Sequence, residues 1–236
     1  MTTIIIPAHN EKENLKKLLP LLNRLRKGHE VEVLVALSCN NDDGSRAMLT
    51  DHEIRGISCD TKGRAAQMNT AARTAKSGIL VFLHADVIPP EGFIQDIQTT
   101  IAAGYDAGFF SYRFDKKSFF LQINAAFTAK DGIFTGGGDQ CLFIKKEAFD
   151  NLGGFDEQQV LMEDFEFFKR MKQNGLSYTI IKNDLVVSAR KYATNSYVRI
   201  NLTNFLLVVL FKCGYPARKL KALHDRLIKM PYQTNP

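Results

Sequence analysis

The nine residues GILVFLHAD, Gly78 to Asp86, give the clearest indication of the architecture. The apolar part of this run is short and unbroken, which is typical of a strand buried on both faces of a parallel sheet. The run ends in His84 and Asp86, two polar side chains that strand alternation would point the same way. Ligands of open parallel sheets bind beyond the carboxyl ends of the strands. We therefore expect a ligand site at the end of this strand.

The chain on either side of this run alternates between strand and helix patterns, which predicts an α/β fold with a mostly parallel sheet flanked by helices. No internal repeat or linker interrupts it, so we expect one domain over residues 1–236. Strands are predicted at residues 3–6, 31–37, 54–58, 79–83, 107–114, 141–144, 177–181 and 185–189. Helices are predicted at residues 11–27, 43–50, 64–76, 117–130, 146–152, 163–174, 196–211 and 216–229.

Composition is that of a globular protein, with 45% hydrophobic and 24% charged residues and no apolar stretch of the roughly 18 residues that a membrane span needs. The N-terminus has no basic region before its apolar run, so a first strand is expected there rather than a signal peptide, and a cytoplasmic location follows. The four cysteines form no CxxC pair, so neither a zinc site nor a disulfide framework is expected.

The formal net charge of +6 includes a basic C-terminal segment that suits nucleic acid, anionic lipid or a phosphorylated small molecule, or is a solvated helix face. We expect no nucleic-acid partner, because no basic patch is interleaved with aromatic residues. The segment contains Arg218, Lys219, Lys221, Arg226 and Lys229.

Four groups of residues could carry chemistry. His84 and Asp86 could bind Mg²⁺ or Mn²⁺, or Asp86 could cap the following turn. In KGRAAQMN, Lys62 and Arg64 stand at a helix N-terminus, which favours an anion, and the helix also offers Gln67 and Asn69; a solvated first turn is the alternative.

Glu163 and Asp164 form the third group. Adjacent helical side chains diverge by about 100°, so we expect only one of them to face a ligand, as a general base, with the other complementing the helix dipole. The fourth is the glycine-rich turn 136–140, whose backbone can approach a ligand closely with Asp139 at its rim, or which merely connects two elements.

Taken together, these motifs resemble the family 2 glycosyltransferases of the GT-A fold, over Thr3 to about Tyr192. GRAAQMN, LHAD, GDQ and LMED resemble a bacterial subgroup of that family. The resemblance implies a Rossmann-like sheet with a nucleotide-binding half (1–105), an acceptor and catalytic half (106–192) and a C-terminal helical segment (193–236). It also implies transfer of a sugar from a nucleoside diphosphate to an acceptor hydroxyl, with inversion.

The resemblance assigns roles to thirteen residues. Asp164 would be the general base, and Asp86 with His84 would hold the divalent cation, Mn²⁺ or Mg²⁺. Asp139, Gln140 and Glu163 would contact the acceptor or the donor sugar. The nucleotide sugar would be bound by Pro7, His9, Glu11, Arg64, Gln67, Asn69 and Arg190.

Two positions depart from the family pattern. His84 replaces the first acidic residue of the family's Asp-x-Asp motif, which removes one charge from the metal site. The second strand ends in Leu37 and Ser38 where an acidic residue often contacts the base, and Asp42 and Asp43 come late enough to cap the next helix instead. The donor base therefore stays open.

Two other functions remain as alternatives. A nucleotidyltransferase would share a metal and a nucleotide site, but PAHNEKEN lacks the glycine-rich loop expected after its first strand. A non-catalytic nucleotide-sugar-binding protein would fit the loss of charge at His84. The acceptor is expected to be lipid-linked or a small molecule.

The apolar run FLLVVLF, Phe205 to Phe211, has three interpretations: buried core, a homodimer contact, or a peripheral contact with the inner face of a membrane. The last two would involve residues 198–229.

Overall fold

A computed structural model describes residues 1–41, 43–51, 54–116, 118–132 and 134–228. The predictions that concern Asp42, Lys117 and Lys229 lie outside these residues, as does the end of the C-terminal segment.

Within the described residues, eight strands form a single mixed sheet in the order β3-β2-β1-β4-β7-β6-β8-β5. β7 and β5 pair antiparallel with their neighbours and the other six run in one direction, which confirms the mostly parallel sheet. The strands are β1 (Thr2–Ala8), β2 (Val31–Leu37), β3 (Arg55–Ser58), β4 (Ile79–Phe82), β5 (Val87–Ile88), β6 (Ala107–Phe114), β7 (Phe143–Lys145) and β8 (Tyr178–Val187).

Helices cover both faces of the sheet and continue to the C-terminal end of the described chain. They are α1 (Lys12–Leu25), α2 (Ser45–Asp51), α3 (Arg64–Thr74), α4 (Phe93–Ala102), α5 (Phe119–Thr128), α6 (Lys146–Asn151), α7 (Glu163–Gln173), α8 (Lys191–Thr194), α9 (Tyr197–Lys212) and α10 (Ala217–Leu227). The short strand β5 and the helices α4 and α8 were not predicted from the sequence. The two late strands predicted at 177–181 and 185–189 are one continuous strand, β8.

The central strands are apolar on both faces because each face packs against a separate helical layer. In β1, Ile4 and Ile6 belong to the core beneath α1, whereas Ile5 belongs to the core beneath α3. In β4, Leu80 and Val81 divide between the same two layers. This two-sided burial is the physical reason for the unbroken apolar run.

The carboxyl ends of β1 and β2 are joined by one buried side chain. Gln67 on α3 donates through Nε2 to the carbonyl oxygens of Ala8 and Ala36, both at 2.8 Å. Ala8 O also accepts from Ser38 N at 3.0 Å, so Gln67 adds a hydrogen bond to the backbone pairing of the two strands. Gln67 therefore fixes the edge of the sheet at which the predicted site residues collect.

The two C-terminal helices pack on the domain through a small apolar cluster of their own, which includes Leu207, Val208 and Leu220 together with Met162. All four cysteines carry free thiols. Within the described ranges, every helix is too short or too polar to cross a lipid bilayer.

Candidate active site

Two adjacent cavities open at the carboxyl edge of the sheet. The smaller, of about 260 Å³, is here called the polar cavity, and the larger, of about 310 Å³, the aromatic cavity. Four side chains line both cavities, so the two form one site with a shared wall. These are Arg64, His84, Asp139 and Lys191.

The polar cavity lies where β1, β4 and β8 end. Asp86 and Arg190 face each other across it, with Nη2 of Arg190 donating to Oδ2 of Asp86 at 3.0 Å. Pro7 and Glu11 complete the side nearest β1. Burial raises the pKa of Glu11, although a hydrogen bond from Asn14 and the charge of Arg190 oppose the shift. The cavity thus combines fixed cations with carboxylates, as a site for a metal-bound anion requires.

His84 and Asp86 follow β4 in a turn rather than within the strand. β4 ends at Phe82, and Val87 N donates to the carbonyl oxygen of His84 at 3.2 Å. Both side chains line the polar cavity because of this turn, not because of strand alternation.

Glu163 and Asp164, at the start of α7, both contact Arg64, and of the two only Asp164 lines one of the two cavities. Arg64 donates through Nε to Glu163 Oε1 and through Nη2 to Asp164 Oδ2, the latter at 3.2 Å. The two carboxylates diverge, but the guanidinium is wide enough to reach both along one edge. Arg64 was expected to meet an anionic ligand, and here it meets two protein carboxylates.

Asp164 sits almost fully buried at the base of the aromatic cavity, with 8% of its surface exposed. Burial and the neighbouring charge of Glu163 outweigh the attraction of Arg64 and raise the pKa of Asp164 to about 6. For Glu163, burial is outweighed by Arg64, and its pKa is lowered. Glu163 is therefore the ionised partner of Arg64, whereas Asp164 is a carboxylate that titrates near neutral pH.

His84 lies between two acidic groups. Its Nδ1 is 3.8 Å from Oδ1 of Asp139. A Cβ placed on Gly138 would lie 2.6 Å from His84 Nε2 and 2.6 Å from Asp164 Oδ2. The imidazole and the Asp164 carboxylate thus both pack against Gly138, a residue that has no side chain. The close approach explains why a glycine occupies this position.

Asp139 stands on the shared wall with cations on both sides. Burial opposes its ionisation, but the Lys191 ammonium, His84 and Arg64 hold the pKa of this carboxyl well below its usual range. Lys191 Nζ is 3.8 Å from Asp139 Oδ2. Asp139 is therefore a fixed negative charge beside the titrating Asp164.

The aromatic cavity is walled by parts of the chain that are far apart in sequence. Tyr112 on β6, Phe127 on α5 and Tyr192 on α8 contribute rings, and α9 contributes Leu207 and Val208. Burial raises the pKa of Tyr112 far above its usual value, so its hydroxyl stays protonated. The cavity can hold a molecule with an apolar part while presenting it to Asp164.

Four of the predicted side chains use their polar atoms in hydrogen bonds with other parts of the protein. His9 is exposed and its Nδ1 is 2.7 Å from Ser38 Oγ. Asn69 is buried and donates to the carbonyl oxygen of Phe155 at 2.9 Å. Gln140 accepts from Gly136 N at 2.9 Å and so braces the glycine turn, although it also borders the aromatic cavity. Gln67 is the fourth.

Asp43, which follows β2 near the position where family members often contact the nucleotide base, has a structural role. Asp43 accepts hydrogen bonds from Ser45 N at 2.9 Å and Lys12 N at 2.8 Å. It thereby caps the start of α2 and binds the first residue of α1, as the alternative reading of the sequence predicted.

Lys191 and the aromatic side chains of the larger cavity were missed by sequence reasoning. Lys191 follows Arg190 directly, and that adjacency was the one signal available. The others are brought together only by the crossing of β6, α8 and α9.

The family model for glycosyl transferase family 2 matches residues 3–150, which is more than half of the chain. The chain belongs to glycosyl transferase family 2. This membership confirms the resemblance to family 2 glycosyltransferases. The matched range contains the polar-cavity residues of β1, α3 and the β4 turn, and it ends before Asp164.

Similar proteins are glycosyltransferases. A pre-mycofactocin glycosyltransferase of Mycobacterium tuberculosis is 29% identical over 103 residues, 40% of this family 2 chain and only 20% of that protein's length. The mannosyltransferase PcManGT of Pyrobaculum calidifontis, in complex with GDP-Man and Mn²⁺, superposes with a TM-score of 0.68 at 19% identity, covering 96% of this chain and 69% of that one. S. aureus TarS 1-349, in complex with UDP-GlcNAc, gives 0.67 at 13% identity, covering 96% and 73%. The fold of this family 2 member is therefore of the GT-A type.

The residues of the polar cavity fit a divalent cation that arrives with a phosphate. No group of three or more His, Cys, Asp or Glu side chains in the described part of the chain could enclose a cation alone. Asp86 nevertheless offers a carboxylate in the cavity. A cation held by one or two carboxylates, with phosphate and water as its other ligands, is the usual arrangement for Mg²⁺.

Proposed function

We propose that this family 2 protein transfers a sugar from a nucleoside-diphosphate sugar to an acceptor hydroxyl, with inversion and with assistance from a divalent cation. The observation that carries the proposal is the pair of cavities sharing a wall, with Asp164 on one side and Asp86 on the other. A transfer between two substrates requires two binding spaces that meet at the reacting atom.

The polar cavity is the proposed donor site. Arg190 and Lys191 supply positive charge for the diphosphate, and Pro7 and Glu11 border the nucleoside. Asp86 would hold the cation, which when bound neutralises the charge on the leaving diphosphate. His84 is not included among the cation's ligands in this proposal, because its ring nitrogens face Asp139 and Gly138.

The aromatic cavity is the proposed acceptor site, with Asp164 as its general base. A carboxylate with a pKa near 6 is ionised at neutral pH yet basic enough to accept a proton from a hydroxyl as the bond to the sugar forms. Attack from the acceptor side, opposite the leaving diphosphate, gives inversion without a covalent intermediate. Arg64 holds Asp164 in place and stands at the junction of both cavities.

Roles for Asp139, Gln140 and Glu163 in the donor-sugar or acceptor site follow from their positions. Asp139 on the shared wall is the one of the three that could accept a hydrogen bond from a sugar hydroxyl of either substrate. Glu163 acts on the site through Arg64, and Gln140 acts through the glycine turn. Both are therefore positioning residues in this proposal.

Isothermal titration with UDP, GDP, ADP and CDP, each with and without Mn²⁺, tests the donor site. We expect one nucleotide to bind in a metal-dependent manner and Asp86→Ala to abolish that dependence. Glu147→Gln, an exposed carboxylate on α6, is the matched control. No binding of any nucleotide would overturn the proposal. Binding without any release of nucleotide from the matching sugar donor would favour a non-catalytic binding protein.

A further inference from the structure

Helix α5 carries a row of exposed apolar side chains. Phe119, Phe120, Ile123 and Phe127 lie at helical spacing and are 39–71% exposed. Phe119 is the most exposed of them, at 71%. Large apolar side chains exposed singly need no explanation, but a contiguous row of this size marks an interaction surface.

Helix α9 carries a second such row. Val198, Leu202, Phe205, Leu206 and Val209 recur at helical spacing and are 39–64% exposed. The opposite side of the helix is already buried in the protein, through Ile200, Leu207 and Val208. A helix that is apolar all round is expected to be covered on both sides. Only one side of α9 is covered by the described chain.

The two rows form one surface, here called the apolar face. The ring of Tyr197 packs at a tilt against that of Phe120, with 5.0 Å between the ring centroids. The Tyr197 hydroxyl donates to Asn124 Oδ1 at 2.7 Å. Asn124 in turn donates to Asn201 Oδ1 at 2.8 Å. These contacts fix α5 and α9 side by side, so that their exposed rows adjoin.

Basic residues accompany the apolar face. Residues 196–228 contain six Lys and Arg side chains and one acidic residue, Asp225, whose carboxylate is bonded to Lys221 at 2.6 Å. Lys212 is the last residue of α9, and Arg218 and Lys219 lie in the first turn of α10. All three side chains are exposed. Two copies of this chain meeting through the face would bring like charges together, whereas an anionic surface would be attracted.

We propose that the apolar face docks on the surface of an anionic lipid bilayer. Its nine side chains would enter the boundary between headgroups and acyl chains, while Lys212, Arg218 and Lys219 contact anionic headgroups. Docking of this kind needs no membrane-spanning helix.

The position of the face gives docking a consequence for the acceptor, and this step rests on the proposed function. Phe127 belongs to the apolar face and also lines the aromatic cavity. Phe134, beside it in the cavity lining, is 42% exposed. A docked bilayer would therefore adjoin the cavity that holds Asp164. The acceptor hydroxyl would then belong to an amphiphile resident in the membrane rather than to a freely soluble molecule.

Vesicle flotation of the full chain tests the docking. We expect the protein to float with phosphatidylcholine vesicles that contain phosphatidylglycerol, and less with phosphatidylcholine alone. The combined variant Leu202→Ser and Phe205→Ser should lower the partition coefficient at least about tenfold, because two exposed apolar side chains are lost. Tyr105→Ser, which removes an exposed ring before β6, is the matched control and should float like the wild type.

Charge-reversal substitutions measure the electrostatic contribution to vesicle binding. Arg218→Glu combined with Lys219→Glu should weaken binding to the anionic vesicles by about 25-fold or more, because each basic residue contributes about a fivefold effect near such a surface. Binding to neutral vesicles should not change. All these side chains are exposed, so melting temperatures should stay close to that of the wild type, which checks that each variant folds.

Two results would overturn the inference. One is failure of the wild type to float with anionic vesicles. The other is a stable dimer in light scattering that Phe205→Ser dissociates, since a second copy would then occupy the face. The proposed function fails separately, if vesicles bind but no nucleoside diphosphate does.

Discussion

The Asp164 carboxylate lies 3.2 Å from Nη2 of Arg64, a residue that lines both the polar and the aromatic cavity. One cation therefore touches the proposed base and borders the proposed donor site. A diphosphate that drew Arg64 towards itself would leave Asp164 with less positive charge nearby, and so more basic. Donor binding would then prepare the base.

Replacing Asp164 by Asn should remove the base while keeping a group of similar shape beside Arg64. We expect turnover, measured as nucleoside diphosphate release from the donor identified by titration, to fall by about 10²- to 10⁴-fold. Nucleotide affinity should not fall, because Asp164 lines only the aromatic cavity and its loss leaves Arg64 freer to meet a diphosphate. Glu147→Gln should leave both quantities unchanged. An Asp164→Asn protein with wild-type turnover would exclude this residue as the base.

The pH profile of turnover should report Asp164. Burial raises its pKa to about 6, and only the deprotonated form can accept the acceptor's proton. Activity should therefore be full above this pKa and decline as the pH falls through about 6. Asp139 stays ionised throughout, since its pKa is held well below the usual range. A rate that is flat between about pH 5 and 8 would argue against a base with this pKa.

Gly138→Ala should displace the side chains of His84 and Asp164, which both pack against Gly138. The new Cβ would lie 2.3 Å from His84 Cε1 and 2.6 Å from Asp164 Oδ2, so at least one side chain must move. A misplacement of about 1 Å can cost about 100-fold in rate, and we expect a loss of that order. Gly137→Ala is a close control, because its Cβ would meet the nearest atom, in Phe165, at an ordinary 3.5 Å. Equal rates in the two variants would contradict the tight approach at Gly138.

Removal of divalent cations should abolish turnover, with recovery on addition of Mn²⁺ or Mg²⁺. The cation is expected to neutralise the charge on the leaving diphosphate. Since no group of three or more potential ligands in the described chain could hold it alone, we expect the cation to bind together with the diphosphate. The measurement is nucleotide affinity as well as turnover, each in EDTA and after metal addition. Full turnover in EDTA would show that Arg190 and Lys191 neutralise the leaving group without a cation.

Gln67→Leu should lower stability without changing any side chain that lines a cavity. The substitution removes the hydrogen bonds that Gln67 donates to the carbonyl oxygens of Ala8 and Ala36, while Ala8 O keeps its bond from Ser38 N. Two lost hydrogen bonds of about 0.5–1.5 kcal/mol each give an expected cost of about 1–3 kcal/mol. Urea unfolding measures the change. Gln95→Leu removes an exposed amide on α4 and should change the free energy of unfolding by less than about 0.5 kcal/mol. A similar effect of the two substitutions would mean that Gln67 does not join the strand ends.

The sequence predicted the elements from β1 to β4 closely, because local patterns determine them. The apolar run 31–37 became β2 with the same bounds, since both its faces are buried. β8 was predicted as two strands, because Lys182, Asn183 and Asp184 interrupt its apolar pattern. In the structure the strand continues through these polar residues, which are exposed or partly exposed. Pairing with β6 runs to Ile181, shifts in register across the three polar residues and resumes at Leu185, so they form an irregularity within one strand and do not end it.

The site was predictable residue by residue but not as an arrangement. Asp86 and Asp164 each stood out through a motif, whereas the contact of Arg64 with both Glu163 and Asp164 joins positions about a hundred residues apart. Helical geometry alone does not predict this shared contact, because it considers the directions of the two carboxylates and not the width of the guanidinium between them. Lys191 was missed for a similar reason: its contact with Asp139 depends on how the end of β8 meets the glycine turn.

Half of the residues that line the aromatic cavity come after residue 150, where the match to the family model ends, whereas most of those lining the polar cavity come before it. The aromatic cavity therefore depends more than the polar cavity does on the chain after residue 150. Substitutions in α9 and α10 can reshape the aromatic cavity without touching β1, α3 or the β4 turn. On the proposed function, a lineage could in this way acquire new acceptors while keeping its donor, and exchanging α9 and α10 between relatives would change the acceptor and not the sugar that is transferred.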